Sequence, residues 1–375
     1  MHRRRFLQVA AGVPAVLAAA ERKIPKYGVV TRYAPAAQPG MPGPYPGRVV
    51  SVHSDKCYDV PTRKADPATV REIIARGMRA LTGAADARDA WARFIAPSDV
   101  VGIKVNCSGA PDIMSSPVVV AEIVRNVMAA GVRPESIWIY ERFRNQIVTV
   151  HYDRFVPRGV HIWTAENERG SVEAYDPDVY VETLFFNEDD TRSNLIRLVA
   201  TRFTKIINVP NMKDHQASGV TGCLKNIAYG DFSNVARSHY GVETHTYSFI
   251  GTLASVEPLR SRTVLQVMDG LCGVWNAGPF SYNPRFRFYP KRILLGTDPV
   301  AIDHLLLDAI EAKRKAEHAI SVWDRSPKYL DPNGDLDHNP NINHFVREPG
   351  HIEYAASLGL GVYDLNKIKV TSLEV

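Results

Sequence analysis

The sequence predicts an α/β fold: a mostly parallel sheet with flanking helices, arranged as two lobes around a polar cleft. The 375 residues are 45% hydrophobic and 23% charged, which is apolar enough for a large buried core. Short apolar runs alternate with capped helical segments, the order typical of βαβ units. Polar residues cluster directly after several predicted strands, where open α/β sheets bind their ligands.

The alternation begins with a strand over 49–53 and a helix over 66–81, in which Asp66 is the N-cap and Pro67 fits the first turn. A strand over 100–105 precedes a helix from Ser116 to Ala130, which Gly131 ends. The remaining predicted elements are strands at 136–140, 205–209, 264–268, 293–295 and 368–370, and helices at 220–229, 298–313 and 350–358.

Residues 1–20 have the layout of an export signal, with a basic start, an apolar run and small residues before a cleavage site. The run Arg3-Arg4-Arg5-Phe6-Leu7 resembles the bacterial twin-arginine signal, R-R-x-F-L. That resemblance implies folding before export, the twin-arginine translocase as a partner, and a periplasmic or otherwise exported protein. The alternative is a basic terminus on a cytosolic protein. No apolar run reaches the roughly 18 residues of a membrane span, so we expect no stable span after cleavage.

The chain after this signal divides by composition. Residues 21–48 are a Pro-rich lead-in, and 49–375 are expected to form one α/β domain, with a lobe boundary within the more polar stretch 150–200. Residues 325–343 are rich in Pro, Asn and Asp and predict a long surface loop.

Charge and cysteine content exclude two kinds of function. The formal charge is +5, and three of those charges lie at Arg3–Arg5, so the rest of the chain lacks the concentrated basic character of nucleic-acid binding. Cys57, Cys107, Cys223 and Cys272 are far apart and form no ferredoxin-type iron–sulfur motif. Two disulfides or four buried free thiols both remain open.

Four blocks combine polar residues with strand ends. They are Gly102-Ile103-Lys104-Val105-Asn106; Pro210-Asn211-Met212-Lys213-Asp214-His215 with the following Thr221-Gly222-Cys223-Leu224-Lys225-Asn226; Asp269-Gly270 with Gly278-Pro279; and Asp298-Pro299-Val300-Ala301-Ile302-Asp303.

Together these blocks resemble the domain-of-unknown-function 362 (DUF362) family, with its K-P-N, P-K-x-K-x-H, G-x-T-x-x-x-K-N, D-G, G-P and D-P-x-A-x-D segments. The resemblance covers roughly residues 50–370, and the family has no general activity assigned to it. Val105 stands where the family has Pro, and Asn211 stands where it has the first Lys. Many relatives carry a ferredoxin-like domain, which this chain lacks.

The basic and amide residues of these blocks predict an anion site. Lys213 and His215 lie two apart after a strand, so in extended geometry they point the same way and could form an acid–base pair or an anion clamp. The alternative is a loop lysine and a histidine bonded to backbone. Five further residues could bind a carboxylate or phosphate, two of them at a strand end and three at a helix start: Lys104, Asn106, Thr221, Lys225 and Asn226.

The acidic residues predict orienting groups or a metal. Asp269 is expected to orient the catalytic pair, and if His215, Asp269 and Asp303 converge, their mixed N/O ligands suit a divalent metal. Asp298 is a candidate both for the cleft and for a helix N-cap. Glu141, at the end of a strand, is a further cleft candidate.

We therefore expect an exported protein that acts on a small anionic substrate by Lys/His acid–base chemistry. A metal- or cofactor-binding protein without turnover is the competing hypothesis. A third is a scaffold whose polar blocks only satisfy loops.

Overall fold

The computed structural model describes residues 24–166 and 172–375. The twin-arginine prediction therefore falls outside the described residues. No helix within the described part is long and apolar enough to cross a membrane.

The described residues form sixteen strands. In chain order they are β1 (Gly28–Val30), β2 (Arg48–His53), β3 (Tyr58–Asp59), β4 (Lys64–Ala65), β5 (Val101–Val105), β6 (Ile137–Phe143), β7 (His161–Glu166), β8 (Tyr175–Glu182), β9 (Arg192–Ile196), β10 (Lys205–Val209), β11 (Asn211–His215), β12 (Gly219–Val220), β13 (Thr263–Val274), β14 (Arg287–Phe288), β15 (Arg292–Gly296) and β16 (Lys369–Glu374).

Ten α-helices connect them within the same residues. They are α1 (Pro67–Thr82), α2 (Ala87–Ala92), α3 (Pro117–Ala129), α4 (Arg144–Ile147), α5 (Arg197–Thr201), α6 (Gly222–Asp231), α7 (Thr246–Ala254), α8 (Leu259–Arg262), α9 (Pro299–Ala316) and α10 (His351–Ser357).

The central sheet has eleven strands, eight of which form a continuous path in the order β16, β2, β15, β13, β10, β5, β6 and β7. Seven of these eight run in one direction, because β15 alone is antiparallel to its neighbours β13 and β2. The sheet is therefore mostly parallel, which confirms the predicted fold class. Strands β5 and β13 are buried along their whole length, as in a sheet covered on both faces.

Helices cover both faces of this sheet. Helix α1 lies so close to Leu295 of β15 that a residue larger than Gly77 would not fit between them. Ile302 of α9 packs against Gly296, the next residue of the same strand. Successive strand residues point to opposite faces, so α1 and α9 lie on opposite sides. On one side α1 packs with α2 and α3, and on the other α9 packs with α6 and α10.

The caps read from the sequence are present. Asp66 accepts a hydrogen bond from the Thr69 backbone N–H, and Asp298 accepts one from Ala301. The main differences are in strand length: the strand expected at 264–268 is the twelve-residue β13, and the one expected at 136–140 continues to Phe143. Asp269-Gly270 is a turn signal that predicts an earlier end, but β13 continues through it because Asp269 pairs with Ile293 of β15 and with Asn211 of β11.

The lead-in is held against the domain. Its strand β1 pairs antiparallel with β8, which pairs with β9 in a separate three-stranded sheet. Tyr27 stacks on Phe249 of α7 and contacts the Ser248 hydroxyl at 2.7 Å. The stretch 150–200 holds the edge strand β7 and most of this small sheet, and the lobe boundary expected there stays a prediction.

Candidate functional site

A cavity of about 650 Å³ opens beside the carboxyl ends of β5 and β6, where parallel strands present polar groups to ligands. Its walls come from these strand ends, from β11 and α6, and from the loops around 278, 336 and 344. Its charged, amide, hydroxyl and imidazole lining includes Lys104, Asn106, Glu141, Arg142, His215, Gln216, Thr221, Lys225, Asn226 and His239.

One predicted anion-binding lysine is already neutralised. Lys104 is fully buried, and its Nζ donates to Glu141 Oε1 at 2.8 Å and to the Val105 carbonyl at 2.7 Å. Gly230 of α6 makes room for this side chain, because a Cβ there would lie 2.4 Å from Lys104 Cε. Lys104 and Glu141 thus line the cavity as an ion pair, which leaves Lys104 less available to an anionic ligand.

A chain of buried amides runs from the cavity wall into the central sheet. Lys213 Nζ donates to Asn106 Oδ1 at 2.7 Å, and Asn106 Nδ2 donates to Asn226 Oδ1 at 3.1 Å. Asn226 Nδ2 donates in turn to Asn208 Oδ1, and Asn208 Nδ2 to Gln266 Oε1, each at 2.7 Å. The three asparagines donate in the same direction and Gln266 accepts at the end, so the orientation of each asparagine amide fixes the next. The predicted residues Asn106 and Asn226 are thereby brought together.

The predicted pair of Lys213 and His215 does not form. The Lys213 ammonium is fully buried and donates to Asn106, to the Ser108 hydroxyl and to the Ile113 carbonyl, and the residue is absent from the cavity wall. Burial lowers the pKa of Lys213 to about 7. Lys213 therefore positions Asn106 and closes the amide chain, instead of meeting a ligand with His215.

His215 lines the cavity as a neutral donor. Its Nδ1 accepts hydrogen bonds from the backbone N–H groups of Ala217, at 3.1 Å, and Ser218, at 3.3 Å. Since Nδ1 must accept, the ring proton lies on Nε2. Burial, with Lys225 nearby, holds the pKa of His215 well below 6.5. The alternative predicted from the sequence, a histidine bonded to backbone, is thus correct for Nδ1. The Nε2–H group remains available to donate a hydrogen bond to a ligand.

Lys225 is a cation of the cavity wall for which the described residues supply no anionic partner. It projects from α6, its Nζ lies 4.4 Å from the centre of the Tyr229 ring, and no carboxylate in the described part of the chain pairs with it. Burial, together with the charge of Arg142, lowers the pKa of Lys225 to about 7. Arg142 itself is paired with Glu166 at 2.7 Å.

Three other lining residues carry buried polar atoms without a hydrogen-bond partner among residues 24–166 and 172–375. They are the Thr221 hydroxyl, both amide atoms of Gln216, and Nε2 of His239. The His239 ring lies 5.4 Å from that of His215. Buried polar groups almost always find a partner, so these atoms indicate that water or a ligand completes the site.

Asp269 belongs to a different cavity. Its carboxylate accepts hydrogen bonds from Ser116 N–H at 2.7 Å and Leu271 N–H at 3.0 Å. It lines a second space of about 840 Å³ together with Tyr58 and Cys272. Burial raises the pKa of Asp269 to about 6. The expectation that Asp269 orients His215 is wrong, because it and His215 line different cavities and its oxygens are bound by backbone.

Asp303 caps the helix that carries Lys225. Its two carboxylate oxygens accept from the backbone N–H groups of Cys223, at 2.5 Å, and Leu224, at 2.9 Å. Gly222 permits this approach: its φ is +57°, and a Cβ there would lie 2.3 Å from Asp303 Oδ1. The start of α6, predicted to bind an external anion, is therefore occupied by the Asp303 carboxyl group, whose pKa is raised to about 7 by burial. Asp303 lies outside the cavity wall and is not placed to contact a ligand there.

Asp298 has a structural function. Its carboxylate accepts from Ala301 N–H at the start of α9, from Gly47 N–H in the lead-in and from Val362 N–H near the C-terminus. It is fully buried and joins three segments of the chain. Of its two predicted functions, the N-cap is confirmed and the cleft candidate is wrong.

The predicted metal ligands do not converge. His215 faces one cavity, Asp269 lines another, and Asp303 caps a helix. Within the described ranges, no group of three or more His, Cys, Asp or Glu side chains is arranged to hold a metal ion. Metal binding stays a prediction that this arrangement does not support.

The four cysteines are free and buried, so the thiol alternative is the one observed. Burial raises the pKa of Cys107 to about 12, and the pKa of Cys223 lies well above 9. Neither thiol is suited to be a nucleophile at neutral pH.

Sequence reasoning missed several parts of the wall. Gln216 directly follows His215, and Tyr229 lies one helical turn after Lys225, so both could have been found from their spacing. Phe280 and Tyr282, after the Gly278-Pro279 segment, gave no signal of their own.

The fold and this site define a class: a mixed α/β protein with a polar, lysine- and histidine-lined cavity at the carboxyl end of a parallel sheet. The family model of the domain of unknown function DUF362 matches residues 101–308, more than half of the chain, and the protein belongs to that family. The match runs from β5 to α9 and so contains most of the cavity wall.

Other comparisons add little. No curated protein matches the sequence. A crystal structure of a protein from Thermotoga maritima is similar at 11% sequence identity and a TM-score of 0.39, covering 68% of this chain and 59% of that one. The matched region is therefore less than two thirds of that protein's length.

Proposed function

We propose that this protein is an enzyme that binds a small carboxylate or phosphate in the 650 Å³ cavity and transfers a proton to or from it. The observation that carries the proposal is Lys225, a cation in the cavity wall without an anionic partner in the described ranges. Lys225 is partly buried. A partly desolvated charge without a counter-charge is costly, and an anionic ligand would reduce that cost.

The neighbouring groups supply the other interactions that such a ligand needs. His215 Nε2–H can donate a hydrogen bond to such a ligand, and the unpartnered Thr221 hydroxyl can donate a second. His215 is held neutral, so it is not the group that changes its charge. Lys225 has a pKa of about 7 and exchanges its proton readily near neutrality, which suits general acid–base chemistry.

This assignment changes the chemistry expected from sequence. The Lys/His pair consists of Lys225 and His215, and Lys213 supports the wall through Asn106. Anion binding and proton transfer are linked, because an anion beside Lys225 raises its pKa and draws a proton onto the amine. Binding of an anionic substrate would thus protonate Lys225, and the protonated lysine could then act as a general acid.

The test is calorimetric titration of the protein with succinate and with inorganic phosphate near neutral pH, in two buffers of different ionisation enthalpy. We expect one of these anions to bind with proton uptake, seen as a buffer-dependent enthalpy. The melting temperature should rise as well, by a stabilisation of about 2.7 kcal/mol at a hundredfold excess over Kd.

Lys225→Gln should abolish both the binding and the proton uptake. The control is Lys367→Gln, whose side chain is exposed and interacts with Asp364 at 3.6 Å. If neither succinate nor phosphate binds, the proposal is wrong. It is also wrong if the anion that binds does so with unchanged affinity in Lys225→Gln.

A further inference from the structure

The size of the cavity exceeds what a bare anion needs. At about 30 Å³ of liquid volume for each water, 650 Å³ has room for about twenty waters. Phosphate or succinate would occupy the region of Lys225 and His215 and leave most of the space filled with solvent. Ligand sites of this volume usually enclose a molecule with a sizeable apolar body.

Aromatic side chains form a continuous wall that starts at the lysine. Lys225 lies over Tyr229, and the Tyr229 ring meets His239 edge-on with the ring centres 5.6 Å apart. The His239 ring in turn meets Phe345 edge-on at 6.0 Å. A ligand whose charge lies at Lys225 would therefore extend along ring faces and ring edges.

Two more aromatic rings stand at the opening. Phe280 and Tyr282 stack with their centres 5.5 Å apart and their planes 23° apart, and both line the cavity. They remain 39% and 70% exposed. Paired exposed rings beside an opening are typical of surfaces that a flat ligand covers.

Resting on the proposed function, we propose that the ligand of this cavity is a ring-bearing carboxylate, with its carboxylate at Lys225 and its flat ring system along the wall of Tyr229, His239, Phe345 and the Phe280–Tyr282 pair. The unpartnered amide of Gln216 is placed to recognise a polar substituent on the ring. Ring stacking at one end of the ligand and charge pairing at the other then both contribute to its affinity.

The probes are 2-naphthoate, its uncharged amide 2-naphthamide, and decahydro-2-naphthoate, which has the same carbon skeleton without the flat π system. Succinate serves as the anion without a ring. We expect 2-naphthoate to bind at least about tenfold more tightly than each of the other three, measured by calorimetric titration at neutral pH.

Variants test which residues bind the carboxylate end of the ligand and which bind its ring. Lys225→Gln should weaken 2-naphthoate and succinate alike by more than about tenfold. Phe280→Ala and Tyr282→Ala should each weaken 2-naphthoate by about three- to tenfold and leave succinate unchanged, because only the ring contacts them. Tyr240→Ala is the matched control, since Tyr240 is 65% exposed and lies outside the cavity wall.

The outcomes separate this inference from the proposed function. If succinate binds through Lys225 and 2-naphthoate binds no more tightly, the ring assignment is overturned and the proposed function stands. If none of the anions binds, both fail. Binding of 2-naphthoate that survives Lys225→Gln would overturn the placement of its carboxylate.

Discussion

Lys213 is fully buried and Lys225 is partly buried, and loss of hydration lowers the pKa of each to about 7. Their ammonium groups nevertheless have different neighbours. Lys213 has three oxygen acceptors, whereas Lys225 has an aromatic face and no acceptor among the described residues. At the residue scale, the difference between a structural and a ligand-binding lysine is therefore made by hydrogen-bond partners, because burial alone affects both in the same way.

The first prediction concerns the pH dependence of stability. Because Lys225 ionises at a pKa of about 7 in the folded protein and at its ordinary 10.5 when unfolded, the unfolded chain holds more protons between these values. The free energy of unfolding then rises with pH across this window, by up to about 1.4 kcal/mol per pH unit for one group. Lys225→Gln removes this contribution. Its stability relative to wild type should be highest near about pH 6 and should fall as the pH approaches about 9.5.

Urea denaturation at several pH values would measure this difference. Lys367→Gln should track the wild type throughout, because its side chain is 75% exposed. A gap between Lys225→Gln and wild type that stays constant with pH would contradict the lowered pKa.

At the scale of elements, the two carboxylates of the D-P-x-A-x-D segment, Asp298 and Asp303, connect helices and chain segments through backbone hydrogen bonds. Asp303 of α9 binds the first N–H groups of α6, and Asp298 binds backbone N–H groups before β2, in α9 and after α10. The D-P-x-A-x-D segment is thus explained by the joining of helices and chain ends. It fixes the position of α6, and with it the position of Lys225 and Asn226, without contacting the cavity.

The second prediction tests this joint. Asp303→Asn replaces one acceptor oxygen with an amide that cannot accept from the α6 backbone, so one buried N–H loses its partner. We expect a loss on the order of 2 kcal/mol in the free energy of unfolding. Asp308→Asn is the control on the same helix, where the side chain is exposed. A loss no larger than that of the control would rule out Asp303 as the cap that holds α6.

At the scale of the whole molecule, the sheet joins distant parts of the chain. Strand β2 lies between β15 and β16, so residues near 50, 294 and 371 are neighbours. Such non-local pairing forms slowly, because distant parts of the chain must meet before any contact is gained. The arginine-rich start predicts a route that exports protein already folded, and this stays a prediction.

The third prediction tests that route. Replacing Arg3, Arg4 and Arg5 with Lys together should leave the protein in the cytoplasm, because the twin-arginine translocase reads the guanidinium pair specifically. Fractionation and immunoblotting would locate it, with Arg22→Lys, beyond the expected cleavage site, as the control. Recovery of the triple variant from the periplasm would exclude the twin-arginine assignment.

The sequence by itself determined the fold class and the helix caps at Asp66 and Asp298, and it marked some of the cavity-lining residues, among them Lys104, His215 and Lys225. These are local properties: apolar periodicity and capping residues act over a few positions, so they can be read along the chain. Tertiary structure decided that Lys104 is paired with Glu141 while Lys225 has no anionic partner among the described residues, that Asp303 faces a helix end, and that Asp269 lies in another cavity. Each of these outcomes depends on which distant backbone N–H or side chain occupies the space beside a charge, and residue spacing along the chain carries no record of that.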